Sequence, residues 1–399
     1  MIISREEIIL NLNGVIFENN MNDIVIIGGN LSGTAAAIKA AEKGVNVVLV
    51  EKNKEPFDPA HCGEMLFDFE TEPLNLDKIG CPKNEIDNVI LYVPPREYTF
   101  KFKKHKIIIF NRNYVEKKLL EKAEKTGAKL ILGTSMRDYK PPYEIYLDNN
   151  EIAKGKIIID ASGIACQVGR RIGMDSRLKP TDIGVCIQSR VQSNFDANTI
   201  RSWFHKPYAP FGYAWLFPLN EKTANIGLGV PGGQKLDLAK LLRNYIENVT
   251  NGNYEIISTF RSCVPSAPPI RRIVKDNVMI TGDAARLTHP LSGGGIKNAL
   301  FSGSLSGIIA AKYIHGEITS LDLYQDSMQT KISRLNKEYN FRIKACKNEY
   351  SFLRKLRTVL SIVYFINKLF PGFLERVFSN LSENDTLILK SYKESPSIL

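Results

Sequence analysis

Long apolar runs, paired cysteines and nucleic-acid signatures are all missing from this chain of 399 residues. No stretch approaches the roughly 18 to 20 consecutive apolar residues that a spanning helix needs, which excludes a membrane-spanning protein. The six cysteines, Cys62, Cys81, Cys166, Cys186, Cys263 and Cys346, form no CxxC pair, and the first twenty residues carry charges every few positions where a secretory leader would be continuously apolar. Reduced thiols and a cytoplasmic location are therefore expected. Zinc-finger spacing, an aromatic RNA-binding signature and an arginine-rich arm are absent too, so nucleic acid has only bulk charge in its favour and is not expected as a partner; no metal is expected either. The formal charge of +11 then points to an anionic membrane surface or acidic small molecules.

What is present begins at Asn22. The run "NDIVIIGGNLSGTAAAIKAAEKGVNVVLVEK" reads as a buried strand, a glycine turn, a helix and a second buried strand ending in an acid. Gly28 permits the tight turn, Gly33 lets helix and strand approach, and the helix N-terminus offers N–H groups to a pyrophosphate. Glu51 lies 23 residues after Gly28, where a carboxylate accepts ribose hydroxyls. Asn30 stands where the pattern has its second glycine; the turn survives because Asn tolerates left-handed backbone better than other side-chain-bearing residues. Residues 1–21 precede this unit as an N-terminal extension, an extra hairpin or a misplaced start, since a second Met sits at Met21.

Two later segments belong with it. "KIIIDASGIACQVGRRIG" is an apolar strand ending at Asp160, followed by a turn to Gly163. "DNVMITGDAARLTHPLSGGGIKNALFSGSLSGIIAAKYI" is a strand, a Gly282-Asp283 turn, Pro290, three glycines and a long helix of small residues. Asp283 can accept from a ribityl hydroxyl, and Gly293 to Gly295 let helix N–H groups face the electron-rich edge of a flavin. Between these segments, "GYAWLFPLNEKTANIGLG" sets Tyr213, Trp215 and Phe217 on alternate positions and therefore on one face of a strand. That face lines either a core or an apolar cavity.

Together the segments resemble the FAD site of glutathione-reductase-type flavoproteins in the hydroxylase-like branch, and more narrowly the geranylgeranyl reductase family. "GDAARLTHPLSGGGIKNAL" is similar to that family's GDAAG…PLxGxGI string, with Arg286 in place of the usual Gly. "GYAWLFPLNEKTANIGLG" is similar to its (Y/F)xWxFP, seven or eight residues, GxG motif. The resemblance covers about residues 22 to 330. It implies an α/β fold: a Rossmann-like FAD-binding domain (22–75, 105–180 and 261–330), an inserted antiparallel-sheet substrate domain (76–104 and 181–260) roofing the flavin, and a C-terminal helical region (331–399).

The resemblance also implies roles. Gly28, Ser32 and Gly33 serve the pyrophosphate turn, Glu51 the ribose, Arg112 and Met136 the second nucleotide segment, and Cys62 and Gly63 the loop along the flavin. Asp160, Gly163, Asp283, Pro290, Gly294, Gly295 and Ile296 complete the cofactor contacts. Tyr213, Trp215 and Phe217 would bind a polyprenyl chain whose isolated C=C bonds are reduced, most specifically in an archaeal ether-lipid precursor. Cys62 is the positional candidate for the proton donor, a buried structural thiol being the other reading. The electron donor is ferredoxin or NAD(P)H, and the basic tail suits peripheral contact with an anionic bilayer. A flavin monooxygenase, another isoprenoid reductase (of quinones or geranylgeranyl diphosphate) and a non-catalytic lipid-binding or electron-carrying flavoprotein stay open.

Overall fold

The computed structural model describes residues 21–56, 61–174, 177–346, 348–370, 372–373, 375–376, 385, 387–392 and 396–399. The extension at residues 1–20 lies outside them. Runs of β-branched residues dictate the first layer. "NDIVII", "VVLVE" and the end of "IAKGKIIID" are buried on both faces, as parallel strands flanked by helices must be. They pair in the order Val278–Ile280, Ile152–Asp160, Asn22–Ile27, Val47–Glu51, Lys129–Leu132, every neighbour parallel. The ligand crevice of such a sheet opens at its carboxyl ends, and Ile27, Glu51, Asp160 and Ile280 all end there.

One face of this sheet is covered by the helix Leu31–Ala41, buried along its whole length, and by the helix Ile296–Ile314 against it. Small residues let the two approach closely: a Cβ at Gly303 would lie 2.1 Å from the Ser32 carbonyl oxygen, and one at Gly307 2.3 Å from that of Ala36.

The second layer is a seven-stranded sheet in the order Glu255–Pro265, Ile183–Gln192, Thr223–Pro231, Ala209–Pro218, Thr199–His205, Asn88–Val93, Arg96–Lys101. Its strands alternate as expected, but one pair, Thr199–His205 with Asn88–Val93, is parallel. The reason is topological: residues 88–101 arrive as a hairpin from a distant stretch of chain, free of the hairpin constraint that makes successive strands antiparallel. The strand Glu255–Pro265 also runs five residues past the expected boundary at 260. The region is not sheet alone, since the helix Leu238–Thr250 packs Leu242, Tyr245 and Ile246 on Ala214, Leu216, Ile226 and Leu228.

A small sheet, Met65–Phe67, Ile107–Phe110 and Lys83–Ile86, joins the layers. The C-terminal region is helical, from Asp322–Cys346 to Glu349–Leu369. Asn348 caps the second helix, accepting from Ser351 N at 3.2 Å. Leu353, Leu356, Leu360 and Val363 of that helix pack on Tyr98 and Phe100 of the roof sheet. Among the described residues no helix is long and apolar enough to cross a membrane.

Candidate active site

The glycine turn after the first strand is set by backbone conformation and close approach. Gly28 has φ +104°, and a Cβ there would lie 2.3 Å from the Ala161 oxygen; a Cβ at Gly33 would lie 1.7 Å from the Gly28 oxygen. Asn30 does not use left-handed backbone. It sits extended at φ −84° as the helix N-cap, its Oδ1 accepting from Leu31 N at 2.7 Å and from Arg112 Nη2 at 2.6 Å. The residue in the second glycine's place thus ties the turn to Arg112 at the start of the helix Arg112–Lys125.

Glu51 is held by backbone donors, Gly29 N to Oε2 at 2.7 Å and Asn53 N to Oε1 at 2.9 Å. Its oxygens keep lone pairs for two further hydroxyls. Asp283 accepts from Thr288 Oγ1 at 2.7 Å, and burial pushes its carboxyl above the usual range against that hydrogen bond. Gly295 begins the helix Ile296–Ile314 with no side-chain cap, so its first N–H groups stand ready for an electron-rich ligand edge. Arg286 adopts left-handed φ +58° where glycine is usual, and its buried guanidinium donates to the Arg177 and Pro268 carbonyls.

One expected contact is placed elsewhere. Asp160 is fully buried and its carboxylate is occupied: Oδ1 accepts from Ser162 N and Oγ, and Oδ2 accepts from Val168 N at 2.8 Å and Gly169 N at 2.9 Å. It organises the turn carrying Gly163 instead of facing the cavity. Gly33 likewise acts by packing.

The remaining candidates, Gly28, Ser32, Glu51, Cys62, Gly63, Arg112, Met136, Gly163, Asp283, Pro290, Gly294, Gly295, Ile296, Tyr213, Trp215 and Phe217, all line one cavity of about 940 Å³. Its walls divide chemically. Acceptors, glycines and a helix N-terminus form one arm, which fits a flavin dinucleotide. The other is apolar and aromatic, with Phe211, Phe260, Val230 and Val264 beside the three rings.

The aromatic arm is built by register. Trp215 faces Gly227 and Tyr213 faces Gly229 across paired strands, and a Cβ at Gly227 would meet the indole at 2.5 Å. Phe217 packs on Gly63, where a Cβ would be 3.0 Å from the ring. Tyr213 donates to the Ser292 carbonyl and so clamps the "PLSGGG" loop to the roof.

Sequence reasoning missed a polar set that joins the arms. Gln188 takes the Trp215 indole N–H at 2.8 Å and donates to the Cys62 carbonyl at 2.9 Å. Glu64, buried and left-handed at φ +64°, accepts from Arg112 N at 3.1 Å, Arg190 Nη2 at 2.6 Å and Asn225 Nδ2 at 2.7 Å. Burial pushes the Glu64 carboxyl up, and Arg190 and Asn225 oppose it. These polar residues lie on segments far apart in sequence, and no local pattern announces them. Cys62 Sγ accepts from Glu64 N at 3.2 Å and lies against Arg112. Burial works against the Arg112 charge, but Glu116 beside it outweighs burial and raises the guanidinium above its usual value. Burial also pushes the neighbouring Cys186 thiol up to about 12, which keeps it an uncharged wall.

Known proteins agree with this division. A family model for the geranylgeranyl reductase catalytic domain matches residues 182–264, and one for FAD-dependent oxidoreductases matches residues 23–56. The chain is 32% identical over 314 residues to the digeranylgeranylglycerophospholipid reductase of Methanothrix thermoacetophila, spanning 75% of this chain and 80% of that one. To the protein of the same name from Methanocaldococcus jannaschii it is 29% identical over 309 residues, 74% of this chain and 78% of the other. The fold is that of a geranylgeranyl bacteriochlorophyll reductase-like protein from Thermoplasma acidophilum, with a TM-score of 0.76 at 23% identity over 93% of this chain and 99% of that one. A turn, an acid and an aromatic strand on one cavity, together with a relative this similar over four fifths of its length, show that the chain belongs to the geranylgeranyl reductase family of FAD-dependent oxidoreductases.

Proposed function

We propose that this protein reduces isolated C=C bonds in the geranylgeranyl chains of an archaeal-type ether-lipid precursor, a digeranylgeranylglycerophospholipid. The observation that carries this reading is that Tyr213, Trp215 and Phe217 line the same cavity as the nucleotide turn, Glu51 and Asp283. FAD would be held by Gly28, Ser32, Glu51, Arg112 and Met136 at its nucleotide end and by Asp283, Pro290 and Gly294 to Ile296 at its ring end. The chemistry a bound reduced FAD supplies is hydride donation to one carbon of the double bond.

The protein's own residues do the rest. The aromatic arm binds and orients the chain, at roughly 0.8 kcal/mol for each methylene removed from water. The apolar wall limits the water beside the reacting atoms once the chain is bound. Cys62 is proposed to hold the proton for the second carbon, its backbone fixed by Gln188 and its sulfur by Glu64 N. Electrons arrive from a reduced carrier, ferredoxin or NAD(P)H, and the protein works in the cytoplasm with its C-terminal helix against an anionic bilayer.

Anaerobic incubation of the dithionite-reduced holoprotein with the lipid tests this directly. Mass spectrometry should find products heavier by successive hydrogen pairs. An unchanged lipid beside a flavin that stays reduced would sink the reading.

A further inference from the structure

Among the described residues, five Lys or Arg side chains line the cavity: Lys52, Arg112, Lys297, Arg334 and Arg342. Lys52 and Arg112 belong to the nucleotide arm, and Lys297 faces Glu70 and Asp385 at 3.9 and 3.7 Å. Arg334 and Arg342 have no part in the reading so far. They come from the helix Asp322–Cys346, and positions 334, 338 and 342 fall on successive turns of one face.

Arg334 Nε is buried and makes no hydrogen bond among the described residues; the side chain as a whole is 37% exposed and is ion-paired with Glu338 Oε1 at 3.8 Å. Arg342 is oriented by donating Nη1 to the Ser266 carbonyl at 2.7 Å. Between them Glu338 pairs with His289 Nε2 at 3.0 Å; burial works to raise its carboxyl, but His289 and Arg334 hold it below the usual range, so it stays charged. Two guanidinium groups against one carboxylate leave this wall cationic. The serines Ser262 and Ser266 line the cavity beside it.

Arg334 Nε leaves a hydrogen bond unmade while its side chain stays partly exposed where it lines the cavity, and the planar fork of a guanidinium matches phosphate oxygens in pairs. We infer that Arg334 and Arg342 bind the anionic phosphate-ester headgroup of the lipid while its chains run to the aromatic arm. The inference rests on the lipid-reductase reading above and adds to it the part of the substrate that is not hydrocarbon.

Two lipids with the same chains separate the possibilities: digeranylgeranylglyceryl phosphate and neutral digeranylgeranylglycerol. Binding to oxidised holoprotein is read by quenching of tryptophan fluorescence, so it does not depend on turnover. Arg334→Gln and Arg342→Gln should each weaken binding of the phosphate ester about tenfold or more, the loss of one charge-assisted contact, and leave the neutral lipid unchanged. Flavin content and melting temperature check folding. If Arg342→Gln unfolds because its Ser266 contact is lost, Arg334→Gln alone carries the test.

Equal weakening for both lipids would assign the arginines to structure and overturn the inference. So would slower NADPH-driven flavin reduction with unchanged lipid binding, which would make the bound phosphate a nicotinamide dinucleotide's. Failure of the wild-type protein to reduce either lipid would count against the reductase reading only, because arginine-dependent binding is measured apart from it.

Discussion

At the scale of single residues, the two halves of the aromatic motif are one device. Trp215 needs the space over Gly227, and its indole N–H needs Gln188, so a ring that looks like core is pinned as a wall. Gly227→Val would force atoms into the indole and cost about 1–3 kcal/mol by overpacking or turn the ring aside. The expected outcome is a yellow protein with a near-normal ratio of flavin to protein, a lowered melting temperature and a loss of lipid turnover well beyond tenfold. Retained turnover would mean that the indole does not shape the substrate arm. Arg286 shows the opposite trade: left-handed backbone in a residue with a side chain costs roughly 1–2 kcal/mol, offset here by hydrogen bonds from its guanidinium to the Arg177 and Pro268 carbonyls.

Among elements, the crossing of helices Leu31–Ala41 and Ile296–Ile314 is a close constraint, since the first follows the glycine turn and the second begins at Gly295, both proposed to hold FAD. Gly303→Ala would place a carbon 2.1 Å from the Ser32 oxygen, which only a backbone shift relieves. We expect weaker FAD retention on gel filtration and destabilisation of about 1–3 kcal/mol in denaturant titration; an unchanged FAD dissociation constant would show that the crossing does not position the turn.

Much of this was legible, because apolar strands, a glycine turn at fixed spacing and period-two aromatics are local signals. Asp160 was not, as its partners are backbone N–H groups eight and nine residues later on a turn whose path the sequence does not state. Asn30 took its place by capping a helix, a geometry that the glycine pattern hides. The Glu64, Arg190 and Asn225 set was invisible for a related reason: it joins three segments that only the assembled sheets bring together.

At the scale of the whole molecule, the described residues leave an apolar stripe of the C-terminal helix exposed. The helix Glu349–Leu369 buries Leu353 and packs the partly buried Leu356, Leu360 and Val363 against the roof, yet its outward side exposes Val359, Ile362, Phe365 and Leu369, with Phe370 just beyond. Residues 350–370 contain no Asp or Glu, and Arg354, Lys355 and Lys368 are exposed beside the apolar stripe. An apolar face rimmed by cations suits an anionic bilayer, each basic residue adding about 1 kcal/mol near the surface. The holoprotein should therefore co-sediment with vesicles rich in phosphatidylglycerol, less with neutral vesicles, and progressively less as salt rises. Ile362 and Phe365 are 54% and 61% exposed, so replacing both with Glu should leave melting temperature and flavin content intact. That double variant should lose vesicle binding and turn over vesicle-embedded lipid slowly, while detergent-dispersed lipid is reduced at the wild-type rate. Equal rates on both lipid forms would place the stripe against another protein surface, because a face that delivers substrate from a membrane must matter only when the substrate is in one.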